Sequence, residues 1–376
     1  MKLLLIYVDG LGYDLVDEVP VVQAHSPSEV RTLLGFSIAD FCTAFSGKYP
    51  DEHGVWNLYY YNKSGVLSPM KYIKQLPFSG SRHSRLFLSI FLSFLRGNSY
   101  PAWLSNIPID RAEYFDTCLK KVICEPNALG TRTIFDLFRD RGLQFICVMW
   151  PLVYSTKGNS YRLDSYSDQK ACSIVEENLG KFDVYYVHLT EIDHEMHIKG
   201  KNAVKEAKAR LNKNLETTIE SFKKAHPSGN VIIFSDHGMS DVHRKYDLVK
   251  IPGLRHGKDY ISFLDATMAR FWFLNKNAEY AVEKHMPAEG RFLTEKDMAK
   301  ERVPMPPKFG EKIFLLEKGG LFAPNYFQKG DEIRSMHGYD PNDSEQSAFF
   351  ACDFKRPRKI QMNDLFGLVS SLLAEN

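Results

Sequence analysis

Three short stretches of the sequence set carboxylates beside imidazoles. Asp9-Gly10 follows the apolar run Leu3–Val8, Glu191-Ile192-Asp193-His194-Glu195-Met196-His197 follows Val184–Leu189, and Ser235-Asp236-His237-Gly238-Met239 follows 231–234. Mixed nitrogen and oxygen donors suit a borderline divalent metal such as zinc, whereas calcium or magnesium would want fewer histidines. Asp193 and His197 are four residues apart, so on one helical turn they face the same way and can grip one ion. Asp236 and His237 are adjacent and diverge, which lets them serve two ions or reach one from a bend. One such pair alone reads as a helix cap or a solvated strand end. Three of them together point to a metal centre.

A nucleophile is available in 35–47. Ile38, Phe41, Cys42 and Phe45 recur at helical spacing there, which sets Ser37 at a helix N-terminus. Free backbone N–H groups and the helix dipole receive an anion at such a position, and a nearby metal can activate the hydroxyl for attack. Ser37 with Asp40 three residues on also fits an ordinary capping box, and spacing does not separate the two readings.

These residues need a scaffold. Leu3–Val8, Phe145–Met149, Val184–Leu189 and 231–234 are short apolar runs, several of them β-branched, as in strands buried on both faces. Helical patterns lie between them, at 133–141 and through Val204, Ala207, Leu211, Leu215, Ile219 and Phe222. The alternation predicts an α/β fold with a mostly parallel sheet sandwiched by helices, in which ligands gather at the carboxyl ends of the strands. Two stretches break the rhythm, at about 62–128 and 245–335. We expect a core of 1–244 and 336–376 with an insertion near 62–128, and a small inserted α/β cap subdomain over 245–335.

Composition narrows the partners. At 376 residues, 44% hydrophobic and 25% charged, the chain reads as folded throughout. Forty-eight basic and 46 acidic residues leave a formal +2, so no global field holds a nucleic-acid polymer or an anionic membrane, and such a partner would have to be held locally. Six cysteines without CxxC or zinc-finger spacing fit reduced thiols and a cytoplasmic setting. Leu3–Val8 imitates a signal peptide, but it is short and lacks a cleavage site, so a buried first strand is expected. The run from Leu86 to Leu95 is about half of what a spanning helix needs.

Read in order, Asp9-Gly10, Ser37 ahead of Ser46-Gly47-Lys48-Tyr49-Pro50, His53-Gly54-Val55, Asp193-x-x-x-His197-x-x-Gly200, Ser235-Asp236-His237-Gly238-Met239 and Met336-His337-Gly338-Tyr339-Asp340 form a recognisable series. The series resembles the alkaline phosphatase superfamily and, within it, the type I phosphodiesterase/nucleotide pyrophosphatase branch. The likeness covers most of the chain, and the run ending in Met149-Trp150-Pro151 looks like the family's strand before the active-site floor. It implies two divalent ions, zinc or else manganese. One would be held by Asp193, His197 and His337, the other by Asp9, Asp236, His237 and Ser37. It also implies attack by Ser37 on a small phosphodiester or nucleotide-like substrate, a phosphoseryl intermediate, and retention of configuration at phosphorus.

Two positions depart from that pattern. The branch usually has Thr where Ser37 stands, a change that keeps the hydroxyl. It usually has Asn where Asp40 stands, donating to a phosphate oxygen, and a carboxylate donates only when protonated. Asp40 is therefore protonated beside the phosphate, facing a cationic part of the substrate, or turned away as a helix cap; the cap is the expectation. Sulfatases need a different nucleophile motif, and the cofactor-independent phosphoglycerate mutases need a larger insertion. A phosphomonoesterase or a phospho-headgroup transferase shares the same metal pair. A catalytically inactive metal-binding module predicts missing ligands, and every required position is filled.

Weaker signs bear on the substrate. Trp56, Asn57, Tyr59, Tyr60 and Tyr61 could stack a base or cover a choline-like cation, although such a run is more often a core edge. The segment from Leu86 to Leu95 could meet a membrane surface with Arg85 and Arg96 at headgroup depth, but packing onto the sheet is favoured. His53 is expected to support the nucleophile loop, with His188 and His194 near the metal ligands.

Overall fold

The structure is a computed structural model that describes all residues except 74–80, 101–106, 150–151, 158–159, 164–166, 328–332 and 375–376. Trp150-Pro151 and the side chain of Arg85 therefore lie outside the described residues.

Leu3–Val8 is buried along its whole length, and its side chains alternate between two cores. Leu3, Leu5 and Tyr7 enter one, while Leu4, Ile6 and Val8 enter the other. A strand with no solvent face belongs in the middle of a covered sheet. It pairs in parallel with Val184–Leu189 on one side and Asn230–Phe234 on the other, and Phe145–Met149 extends the parallel set. The full order is Ser28–Val30, Ala348–Cys352, Asn230–Phe234, Leu3–Val8, Val184–Leu189, Phe145–Met149, Leu152–Ser155, Ser160–Leu163. Ala348–Cys352 and Leu152–Ser155 run against the rest, so six of the eight strands share one direction.

Helices cover both faces. Ser37–Ser46, Ile134–Asp140 and Asp364–Ala374 close the first core, and Asp168–Glu177, Glu191–Lys199 and Lys205–Ala225 close the second. Ile134–Asp140 starts at a reciprocal cap, where the Asp136 amide donates to Thr133 Oγ1 at 3.3 Å and the Thr133 amide donates to Asp136 Oδ2 at 2.9 Å. In Lys205–Ala225 the predicted stripe of Ala207, Leu211, Leu215, Ile219 and Phe222 is the buried face.

The two interruptions share a third core. Tyr260–Leu264, Met268–Phe273, Lys312–Leu316 and Gly290–Phe292 form an antiparallel sheet, flanked by the helices Lys276–His285 and Glu295–Lys300. Tyr260, Phe263 and Trp272 from this unit pack with Val66, Leu67, Met70, Ile107 and Phe115 from the earlier stretch. Arg270 and Asp265 are fully buried where this unit meets the chain that follows Ser37–Ser46, with Nε and Oδ2 2.6 Å apart. Arg270 also donates to the Tyr59 carbonyl at 2.8 Å, and the Asn57 amide donates to Asp265 Oδ1 at 3.0 Å. Trp56, Asn57 and Tyr59 are thus core residues, and only Tyr60 and Tyr61 of that run keep partial exposure.

The segment from Leu86 to Leu95 lies in the helix Arg82–Leu95. Contrary to expectation, it does not pack onto the central sheet. Leu88 and Leu92 rest on the third core, and Phe87, Phe91, Phe94 and Leu95 face solvent. Among the described residues no helix is long and apolar enough to cross a membrane. All six cysteines are unpaired.

Candidate metal centre and nucleophile

Parallel pairing brings three strand ends side by side. Val8 is in register with Leu189 and Tyr7 with Phe234, so Asp9, the helix Glu191–Lys199 and the 235–239 turn emerge together. Gly10 has a φ of +76°, and a Cβ there would lie 2.8 Å from Asp193 Cβ. A glycine is what lets the Asp9 turn and the Asp193 helix approach this closely. His337 arrives from the carboxyl-terminal part of the chain, directly after a short strand, Ser335–Met336, paired with Ser240–Asp241.

The ligand-type atoms converge. His237 Nε2 is 3.1 Å from Asp236 Oδ2 and 3.6 Å from Asp9 Oδ1, and His197 Nε2 is 3.4 Å from Asp193 Oδ1. The His237 and His337 rings stack at 3.6 Å, with His197 5.4 Å from His337. Two groups place three ligand atoms within 4.8 Å of one another: Asp193, His237 and His337, and Asp9, Asp236 and His237. His237 closes both groups, and His197 stands beside the first through its contact with Asp193.

Second contacts aim these side chains. His197 Nδ1 lies 2.8 Å from the Ser335 carbonyl and His237 Nδ1 lies 3.0 Å from the Gly238 carbonyl. A carbonyl only accepts, so each Nδ1 carries the proton and each Nε2 is turned to the cluster. His188 Nε2 contacts Asp9 Oδ2 at 3.1 Å. His194 is exposed and takes no part. Two supports carried no sequence signal. The buried Tyr7 hydroxyl sits near Asp236, and Asp168 accepts from the Thr190 and Glu191 amides at 2.8 and 3.2 Å, capping the Asp193 helix from a neighbouring helix.

The electrostatics call for positive charge. Asp9 Oδ1, Asp193 Oδ1, Asp236 Oδ2 and His337 Nδ1 are all buried without a hydrogen-bond partner. Burial, followed by the Asp236 and Asp193 carboxylates, raises the Asp9 pKa well above its ordinary value. Burial would raise Asp193 and Asp236 too, but the neighbouring imidazoles outweigh it and hold both low. Burial would depress His237, yet the three carboxylates around it push it up to about 10. Orphaned carboxylate and imidazole atoms that draw a proton among them form a donor set that fits divalent cations.

Ser37 opens the helix Ser37–Ser46, and its Oγ is 3.0 Å from His237 Nε2. The residue before the helix is Phe36, with no side-chain cap, so the capping box does not form. Asp40 is buried and turns backward instead: its Oδ1 accepts from the Leu33 amide at 2.9 Å and from Thr32 Oγ1 at 3.2 Å. It therefore ties the 32–33 loop to the helix Ser37–Ser46 and caps no helix, which corrects the expectation. Burial, then the Asp236 charge, raises its pKa well above the carboxylate range.

His53 supports the same helix. Its Nδ1 accepts from the Val55 amide at 3.2 Å, so Nε2 carries the proton and meets Thr43 Oγ1 at 3.1 Å. Burial lowers its pKa from 6.5 to about 4. The folded state holds the neutral ring, so this contribution is present above pH 6.5 and is lost as pH falls toward 4. Chemical denaturation across that window should show up to about 3 kcal/mol less acid sensitivity in His53→Gln than in the wild type. Equal slopes would remove His53 from the account.

The sequence profile of the type I phosphodiesterase/nucleotide pyrophosphatase family matches residues 36–340. The chain belongs to that family. Its members are metal-dependent phosphoric ester hydrolases, and the two ligand groups above are where this member could bind metal. Murine ectonucleotide pyrophosphatase/phosphodiesterase 5 superimposes with a TM-score of 0.70 at 16% identity, over 100% of this chain and 95% of that one. The human protein of the same name gives 0.66 at 18% identity with the same coverage. An inactive form of the murine protein, solved in complex with AMP, gives 0.65 at 16% identity, again over 100% and 95% of the two chains. At these identities the likeness establishes the alkaline-phosphatase-like fold. No curated protein matches the sequence.

Proposed function

We propose that the chain hydrolyses a small phosphodiester or pyrophosphate of nucleotide-like size, with Ser37 as nucleophile and two divalent ions at the strand ends. The observation that carries the reading is Ser37 Oγ at a helix N-terminus, 3.0 Å from an imidazole that closes both groups of ligand atoms. Asp193, His197 and His337 would hold one ion, and Asp9, Asp236 and His237 the other, next to Ser37, with His237 also within reach of the first. The mixed imidazole and carboxylate donors favour zinc, with manganese second. When bound, such ions supply neutralising charge to the phosphoryl oxygens and lower the pKa of an adjacent hydroxyl.

The chain's own groups do the rest. The free amides at the start of Ser37–Ser46 face the phosphoryl oxygens. Ser37 Oγ forms a bond to phosphorus as its proton is lost, the bond to the leaving oxygen breaks, and that oxygen takes up a proton. Water then attacks the phosphoseryl group and restores the hydroxyl, so two in-line displacements retain configuration. Phe36 stands edge-on to His337 at 5.5 Å and meets Phe327 at 5.6 Å. These partly buried rings, tilted 41° to each other, put an apolar surface beside His337, and the AMP complex of the murine neighbour supports a nucleotide-like occupant.

The test is turnover of bis-p-nitrophenyl phosphate beside p-nitrophenyl phosphate, after chelation and after re-addition of zinc or manganese. The expected result is diester preference that disappears on chelation and returns with metal. A monoester preference would move the assignment to a phosphomonoesterase. No turnover of either substrate with metal restored would remove the hydrolase reading for these substrates.

A further inference from the structure

The helix Arg82–Leu95 is apolar on two sides. Leu88 and Leu92 are used by the third core, and Ser89 and Ser93 are buried beside them. Phe87, Phe91, Phe94 and Leu95 recur at the spacing of a second stripe and are 68%, 49%, 52% and 66% exposed. The Phe87 and Phe91 rings lie parallel, 6.3 Å apart. Tyr72 nearby in sequence is 70% exposed. A helix apolar on both sides is ordinarily enclosed, and a contiguous row of exposed aromatics marks an interaction surface.

Charge decides what covers it. Between Glu52 and Asp110 the sequence has no acidic residue, while Lys63, Lys71, Lys74, Arg82, Arg85 and Arg96 fall inside that stretch. The stretch carries +6, so with a total of +2 the remainder of the chain carries −4. A second copy docking isologously would set +6 against +6. A phenylalanine and leucine face within a cationic, acid-free segment is the pattern of an element that lies in a lipid interface and meets anionic headgroups. We propose that the Arg82–Leu95 helix docks the protein onto an anionic phospholipid bilayer, with Phe87, Phe91, Phe94 and Leu95 entering the headgroup boundary. The binding is independent of catalysis.

The experiment is vesicle co-sedimentation with phosphatidylcholine alone and with phosphatidylcholine containing phosphatidylserine. The wild type is compared with the triple variant Phe87→Ser/Phe91→Ser/Phe94→Ser. The wild type should favour the anionic vesicles, release in high salt, and bind at least about tenfold more tightly than the variant. Unchanged circular dichroism and melting of the variant would show that the loss is local, since these rings lie on the solvent-facing side of the helix. Equal vesicle binding by both proteins, or no preference of the wild type for anionic lipid, would overturn the proposal. So would a wild-type dimer that the substitutions convert to a monomer without any vesicle binding, since the face would then be a self-association surface.

Discussion

His237→Ala is expected to strip both metal ions from the protein, whereas His197→Ala should lower the metal content by about one ion. The reason is geometric. His237 Nε2 belongs to both groups of converging atoms, and its ring stacks on His337 at 3.6 Å, while His197 adjoins the first group alone. Losing His237 removes the imidazole that faces both Asp236 and Asp9, which disfavours ionised carboxylates and the cation site together. Metal content after dialysis, measured by atomic emission, separates the two variants. Turnover of His237→Ala should fall by more than about a hundredfold. Retention of half the metal by this variant would show that it serves a single ion, and the shared role would be withdrawn.

Ser37→Ala should reduce diester turnover by about three to six orders of magnitude while leaving metal content close to that of the wild type. The substitution removes one oxygen at the start of Ser37–Ser46 and none of the three-atom groups that could hold metal. Rapid acid quench followed by peptide mass analysis should find a phosphoryl group on Ser37 in the wild type. Ser37→Thr keeps the hydroxyl and should restore most of the activity. Appreciable turnover in Ser37→Ala would instead mean that water attacks phosphorus directly, and a single inversion would replace double displacement. Stereochemical analysis with a chiral thiophosphate diester distinguishes those outcomes.

Much of the candidate metal centre was legible because each apolar run stops at a polar residue of a distinct type. A strand buried on both faces cannot end inconspicuously, so Asp9, the Asp193 helix and Asp236-His237 stand out as strand ends without any structure. What binary patterning lacks is rotation and partner choice. Asp40 falls where a cap would fall, yet its carboxylate points back to Leu33, because the backbone before Ser37 approaches from that side. Asp168 caps a helix 22 residues away in sequence, and no local rule identifies such a partner. The Arg82–Leu95 helix reads as a single apolar block, since Leu88 and Leu92 differ from Phe87 and Phe91 only in the direction they face. The sharing of one core by two separate interruptions is likewise a tertiary fact that composition does not carry.

The Arg270–Asp265 pair also bears on how the inserted sheet is held. Its guanidinium holds the Tyr59 carbonyl, its carboxylate is held by Asn57, and both charged groups are fully buried. Moving the inserted sheet would leave Arg270 and Asp265 paired, since both belong to it, but would break their bonds to the Tyr59 carbonyl and the Asn57 amide, at about 1.5–3 kcal/mol each. The pair thus works as a rivet between the inserted sheet and the chain that follows Ser37–Ser46.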